Sequence, residues 1–204
     1  MTKSWTGKTR TRKAAGRHRW VAVWALLLVG GCATRESQVT FHDANMDFGQ
    51  LQTIAVLPFA NLSPTAQAAE RTRDVFTNML QATEALYVLP PGEVERGISR
   101  ATLTRPEEPN PEEIVALARV VGADAVITGT VREYGQVRSG TASANVISVS
   151  LQMMEAETGR VVWSASSTKG GIGAANRLFG GGGKPMNVVT QEAVKDLLDK
   201  LFGS

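Results

Sequence analysis

Thr53-Ile54-Ala55-Val56-Leu57-Pro58-Phe59 is nearly all apolar and begins with β-branched side chains. Such a run suits a strand covered on both faces, as in a sheet flanked by helices. Pro58 has no N–H to give a ladder and marks the strand's exit. Turn-forming Asn61-Leu62-Ser63-Pro64 follows. Residues 66–83 then read as a helix. Thr72, Val75, Phe76, Met79 and Leu80 share one stripe, with Arg71, Arg73 and Asp74 mostly off it. Residues 86–89 form a short second strand, stopped by Pro90-Pro91.

Downstream, residues 92–101 read as a short helix with Val94 and Ile98 inward, followed by a polar loop at 102–109. Asn110-Pro111-Glu112-Glu113 is a helix start: Asn as N-cap, Pro first, Glu third. Ile114, Leu117, Ala118 and Val121 follow at helical spacing, and Gly122 is placed to end the helix left-handed. Ala125–Val131 is the next strand, in which Gly129 permits a neighbour to approach closely. From Ile147 to Met153, Ile147, Val149, Leu151 and Met153 alternate with Ser148, Ser150 and Gln152, the pattern of a half-exposed antiparallel strand. Glu157-Thr158-Gly159 turns the chain into a strand at 161–167. A glycine-rich stretch, 169–185, precedes a final helix at 187–202 with Val194, Leu197, Leu198 and Leu201 on one stripe. The order predicts an α/β fold, one domain around a mixed sheet of about five strands with packed helices.

Upstream the chemistry changes. Seven basic residues and no acid precede the apolar run Trp20–Val29, which ends in Gly30-Gly31-Cys32. A basic start, a short apolar middle and small residues at the cut make a secretory signal. The run is about half of the ~20 residues a membrane-spanning helix needs. Val29-Gly30-Gly31-Cys32 resembles the bacterial lipobox. That resemblance implies cleavage before Cys32, a diacylglycerol on its thiol, and an acyl chain such as palmitate on its amine. Ala33, where inner-membrane lipoproteins typically carry Asp, implies the inner leaflet of the outer membrane, facing the periplasm. The expected organisation is a signal peptide at 1–31, a lipid-anchored tether at 32–52 with one edge strand at 38–41, and the α/β domain at 53–204.

Composition follows the same division. The signal holds seven of the 22 Lys and Arg and none of the 19 Asp and Glu, so the remainder carries 15 against 19, a net charge of −4. No basic face calls for nucleic acid. With Cys32, the sole cysteine, taken by lipid, no disulfide within the chain is available.

Catalytic and metal chemistry finds little to work with. Beyond the signal there is one histidine, His42, in the expected tether, without a nucleophile to serve. One His and a lipidated Cys do not make a zinc site. Gly180–Lys184 lacks the first glycine of a P-loop, having Leu178 there, and Pro185 replaces the Ser or Thr. Gly171–Asn176 breaks the dinucleotide fingerprint at its last glycine. Glu112-Glu113 suits a helix N-terminus, Glu107-Glu108 a solvated loop, and Trp163 a core position. The expectation is no enzyme, no cofactor and no metal.

Residues 54–61 (IAVLPFAN), 122–134 (GADAVITGTVREY) and 149–164 (VSLQMMEAETGRVVWS) resemble, in order, the CsgG/HfaB-like bacterial lipoprotein superfamily, whose members include CsgG, PelC and LpoB. The resemblance implies a periplasmic α/β domain and a role as scaffold or accessory subunit of an envelope export or assembly system, acting by self-association. Its alternative is an LpoB-like activator of a peptidoglycan synthase. CsgG-like pores insert long amphipathic hairpins after the strands ending near Tyr134 and Thr168. Here 135–145 is short and polar and 169–185 is glycine-rich without alternation, so no self-made pore is expected. LpoB-like activators often carry a long tether, and this one is short.

Overall fold

The structure, a computed structural model, describes residues 40–172 and 183–203, with Thr2. In chain order the elements are β1 (Thr40–His42), a 3-10 turn (Phe48–Gln50), β2 (Thr53–Val56), β3 (Ala60–Asn61), α1 (Ala68–Gln81) and β4 (Tyr87–Val88). These are followed by α2 (Pro91–Ala101), α3 (Pro111–Val121), β5 (Ala125–Ser139), β6 (Ala142–Glu155), β7 (Val161–Gly170) and α4 (Met186–Phe202). One open sheet runs β1-β7-β6-β5-β2-β4, with β3 pairing farther along β5. β2 lies parallel to β4 and β5, whereas β5, β6, β7 and β1 are antiparallel neighbours. The α/β class and mixed sheet are as expected. The strand count is seven, because β3 is only two residues long and β1, Thr40–His42, is the edge strand expected in the tether.

The decisive run behaves as a two-faced strand. Ile54 and Val56 join α1 and α4 in one core, while Ala55 and Leu57 join α2 and α3 in the other. Pro58 falls where β2 has ended, and the chain re-enters the sheet as β3. β4 stops before Pro90, so nothing in the sheet can donate to the carbonyl of Val56 on that side. Arg73 does so instead, with Nη2 at 2.8 Å and Nε at 3.2 Å. Gly129 admits Phe59: a Cβ there would lie 2.8 Å from the Phe59 ring and 2.6 Å from Leu151. The α3 start is the expected capping box, with Asn110 Oδ1 accepting from Glu113 N and Glu113 Oε2 accepting from Asn110 N, each at 2.9 Å.

Two segments differ from their sequence reading. Residues 135–145 are the outer part of a β5–β6 hairpin that continues to a tight turn at Gly140, φ 59°. Its polar cross-strand pairs, Gln136↔Asn145 and Arg138↔Ser143, share one side, the small residues Ala142 and Ala144 are buried on the other, and a bulge between Val131 and Glu133 interrupts the register. From Thr40 onward, the segment read as tether is folded. β1 pairs with β7, Asp47 caps the 3-10 turn by accepting from Gly49 N, and Leu51 is buried. The Asp124 carboxylate accepts the N–H groups of Gln52 and Thr53 at 2.9 and 2.8 Å, fixing the entry to β2. Residues 33–39 lie outside the described part.

Candidate interaction surface

Among the described residues, the helices leave part of the sheet uncovered. On β6, Ile147, Val149, Leu151 and Met153 are buried under α1 and α4. On the other face, α2 and α3 cover the β2 end and the start of β5, where Val126 is buried. Beyond that line Ser148, Ser150 and Ser166 are half-buried, and Gln152 and Thr168 are exposed. Thr168 donates to Ser148 Oγ at 3.1 Å, one rung of a hydroxyl-lined surface. Between this face and the α2–α3 loop lies a groove of about 290 Å³, lined by Thr128, Thr130, Ser150 and Gln152 with Glu107, Glu108 and Arg132. Glu108 is paired with Arg105 at 3.2 Å. Hydroxyls, amides and a few charges can hold a polar partner surface.

The single residues resolve into structural roles. His42 stacks edge-on against Phe48 and Trp163, at 5.6 and 6.4 Å between ring centroids, and its Nε2 donates to the Lys200 carbonyl at 3.1 Å. It thereby fastens β1 to the last turn of α4. Trp163 is fully buried and its Nε1 has no hydrogen-bond partner, so it is a core residue. Glu113 belongs to the α3 cap. Cys32 and most of the 170–183 stretch lie outside the described residues. The described ends of that stretch are tied to β6. Gly171 N donates to Asn145 O at 2.8 Å, Gly183 N to Ser143 O at 3.1 Å, and Asn145 Nδ2 to Lys184 O at 2.8 Å. Among the described residues no group of three or more His, Cys, Asp or Glu is placed to hold a metal ion, and no helix is long and apolar enough to cross a membrane.

One ionic cluster escaped sequence reading, because its members are far apart in the chain. Asp196 on α4 accepts from Lys169 at 2.9 Å and Lys200 at 2.7 Å, and Lys200 also donates to the Ser166 carbonyl at 2.8 Å. Burial pushes the Asp196 carboxyl up, but hydrogen bonds from Lys200 and Lys169 outweigh it and hold the group below its ordinary value. The Lys200 side chain is only 10% exposed, so removing its partner strands a largely desolvated cation. Asp196→Asn is expected to lower unfolding stability by about 2–3 kcal/mol at neutral pH. A depressed carboxyl stabilises the fold above its unfolded pKa and loses that contribution as pH falls through the folded one. The gap between wild type and variant should therefore stay constant at neutral pH and close below about pH 4, as measured by urea unfolding.

The fold and surface together define a small α/β domain, helices on both faces of a mixed sheet, with a polar half-face left open among the described residues. Such a domain is shared by small lipoproteins. A family model described as "Putative lipoprotein GNA1162-like" matches residues 44–202, and the chain belongs to that GNA1162-like lipoprotein family. No curated protein matches it in sequence. The fold is similar to that of GNA1162 from Neisseria meningitidis (TM-score 0.54, 22% identity, 75% of this chain and 99% of that one). It is similar also to a PelC L103M dodecamer from Paraburkholderia phytofirmans (TM-score 0.54, 18% identity, 81% and 98%). The LpoB C-terminal domain from Salmonella enterica superposes more loosely (TM-score 0.46, 16% identity, 62% and 86%). At these identities the likeness concerns the fold. It matches the small-lipoprotein superfamily that residues 54–61, 122–134 and 149–164 resemble.

Proposed function

We propose that this chain is a lipid-anchored, periplasm-facing protein of the outer membrane, held by diacylglycerol and acyl chains on Cys32. It would act without chemistry of its own, as a self-associating scaffold or accessory subunit of an envelope export or assembly system. The observation that carries the reading is the uncovered polar face of β5–β7, on a domain whose single histidine and charged clusters serve its own packing. The dodecameric PelC structures favour self-association of this fold. The anchor fits as well. With the body folded from Thr40, the chain from Cys32 reaches at most about 28 Å when fully extended, which suits a subunit working near its own leaflet. An activator reaching a synthase in the opposite membrane would need more.

The test is native mass and light scattering of the lipidated chain in detergent and of the Cys32→Ser chain without detergent. A discrete oligomer in both, reduced to monomer by Ser148→Glu with Ser150→Glu, is the expected result. Monomer throughout would overturn self-association. Crosslinking in cells should recover the chain with itself and with export components; recovery of a peptidoglycan synthase would replace the scaffold by an activator.

A further inference from the structure

The C-terminal turns of α1 and α4 leave between them an apolar groove of about 370 Å³, lined by Met79, Ala82, Leu198 and Phe202 among others. We propose that this groove is where the folded body seats on the bilayer, at the boundary of headgroups and acyl chains in the leaflet holding its anchor. The inference rests on the lipid anchor of the preceding section.

Three observations carry it. First, Phe202, at the end of α4 and on the wall of the groove, is 42% exposed. An exposed Phe ring at a helix end gains by burial at the boundary of headgroups and acyl chains. Second, β1, where the described body begins, and the groove belong to the same part of the fold. His42 holds the Lys200 carbonyl, two residues before Phe202. Only residues 33–39 separate Cys32 from Thr40, so the bilayer lies within about 28 Å of that strand. Third, the charged groups at the groove cancel. Lys195 and Asp199, which line it, pair at 2.6 Å. Among the described residues, no unpaired charge lining the groove opposes its approach to lipid.

The experiment uses the lipidated protein, its mass confirming the modification at Cys32, in vesicles of phosphatidylethanolamine and phosphatidylglycerol containing dibrominated phosphatidylcholine. Trp5, Trp20 and Trp24 precede Cys32, leaving buried Trp163 as a constant background. Emission added by Phe202→Trp should be quenched at least threefold more strongly than that added by Val137→Trp, on the hairpin arm. Lipid at Cys32 with equal or no quenching at the two positions overturns the seat alone. Absence of lipid at Cys32 overturns the anchor and the seat with it. Emission from Phe202→Trp that shifts on dilution in detergent would assign the groove to a second copy and overturn the lipid contact.

Discussion

Cys32→Ser is expected to move the protein out of the membrane fraction almost completely while leaving its folded body unchanged. Serine has no thiol to carry a diacylglycerol thioether. Membrane affinity grows by about 0.8 kcal/mol per buried methylene, and a single chain of myristoyl length holds only marginally, so several chains make the difference between transient and permanent attachment. The body begins its described contacts at Thr40, so the melting temperature of the variant should equal that of the wild-type domain. Fractionation with intact-mass measurement checks both halves. A variant that stays with the membrane at an unchanged mass would show that something other than this cysteine holds it.

The second large effect is structural. Gly159 sits in the β6–β7 turn with φ 68°, and a Cβ there would lie within 2.4–2.8 Å of the Pro111 backbone. The turn is thus pressed against the first residue of α3. Backbone cannot rotate aside as a side chain can, and the left-handed conformation adds its own penalty for any L-residue bearing a Cβ. Gly159→Ala should cost about 3 kcal/mol, and Gly159→Val more, lowering the melting temperature by roughly 6–12 °C in a domain of this size. Gly122→Ala is the internal comparison. It shares a positive φ, 69°, but a Cβ there meets nothing within 4 Å, so its loss should be about 1 kcal/mol. Equal losses at the two glycines would mean that the Pro111 contact contributes nothing.

Much of this architecture is written locally. Ile147–Met153 declares one wet and one dry face by simple alternation, and the structure buries and exposes those residues accordingly. The α3 cap is legible because its two hydrogen bonds join residues three apart. What escaped reading depends on distant partners. Met46, Phe48 and Leu51 sit at no regular spacing, yet they pack on the core. Arg73 reads as a solvated helix residue until β4 proves too short to satisfy Val56. The outer β5–β6 arm carries only the small buried residues Ala142 and Ala144 between polar ones, a weak apolar signal. The open face itself was half visible: the serines were evident, but which strands the helices would leave bare depends on the packing of α2 and α3.

The sheet's connectivity bears on how the chain reaches this state. β5, β6 and β7 follow one another from Ala125 to Gly170 through short turns, so this meander can assemble from neighbouring segments alone. β2 must instead find β5 across about seventy residues, with Ile54 opposite Ala125, and insert between β5 and β4. Closing so long a loop is an entropic cost met before its contacts exist. The meander is therefore expected to form early and the β2–β5 seam late. Amide protons of β6 should become protected from exchange before those of β2 during refolding.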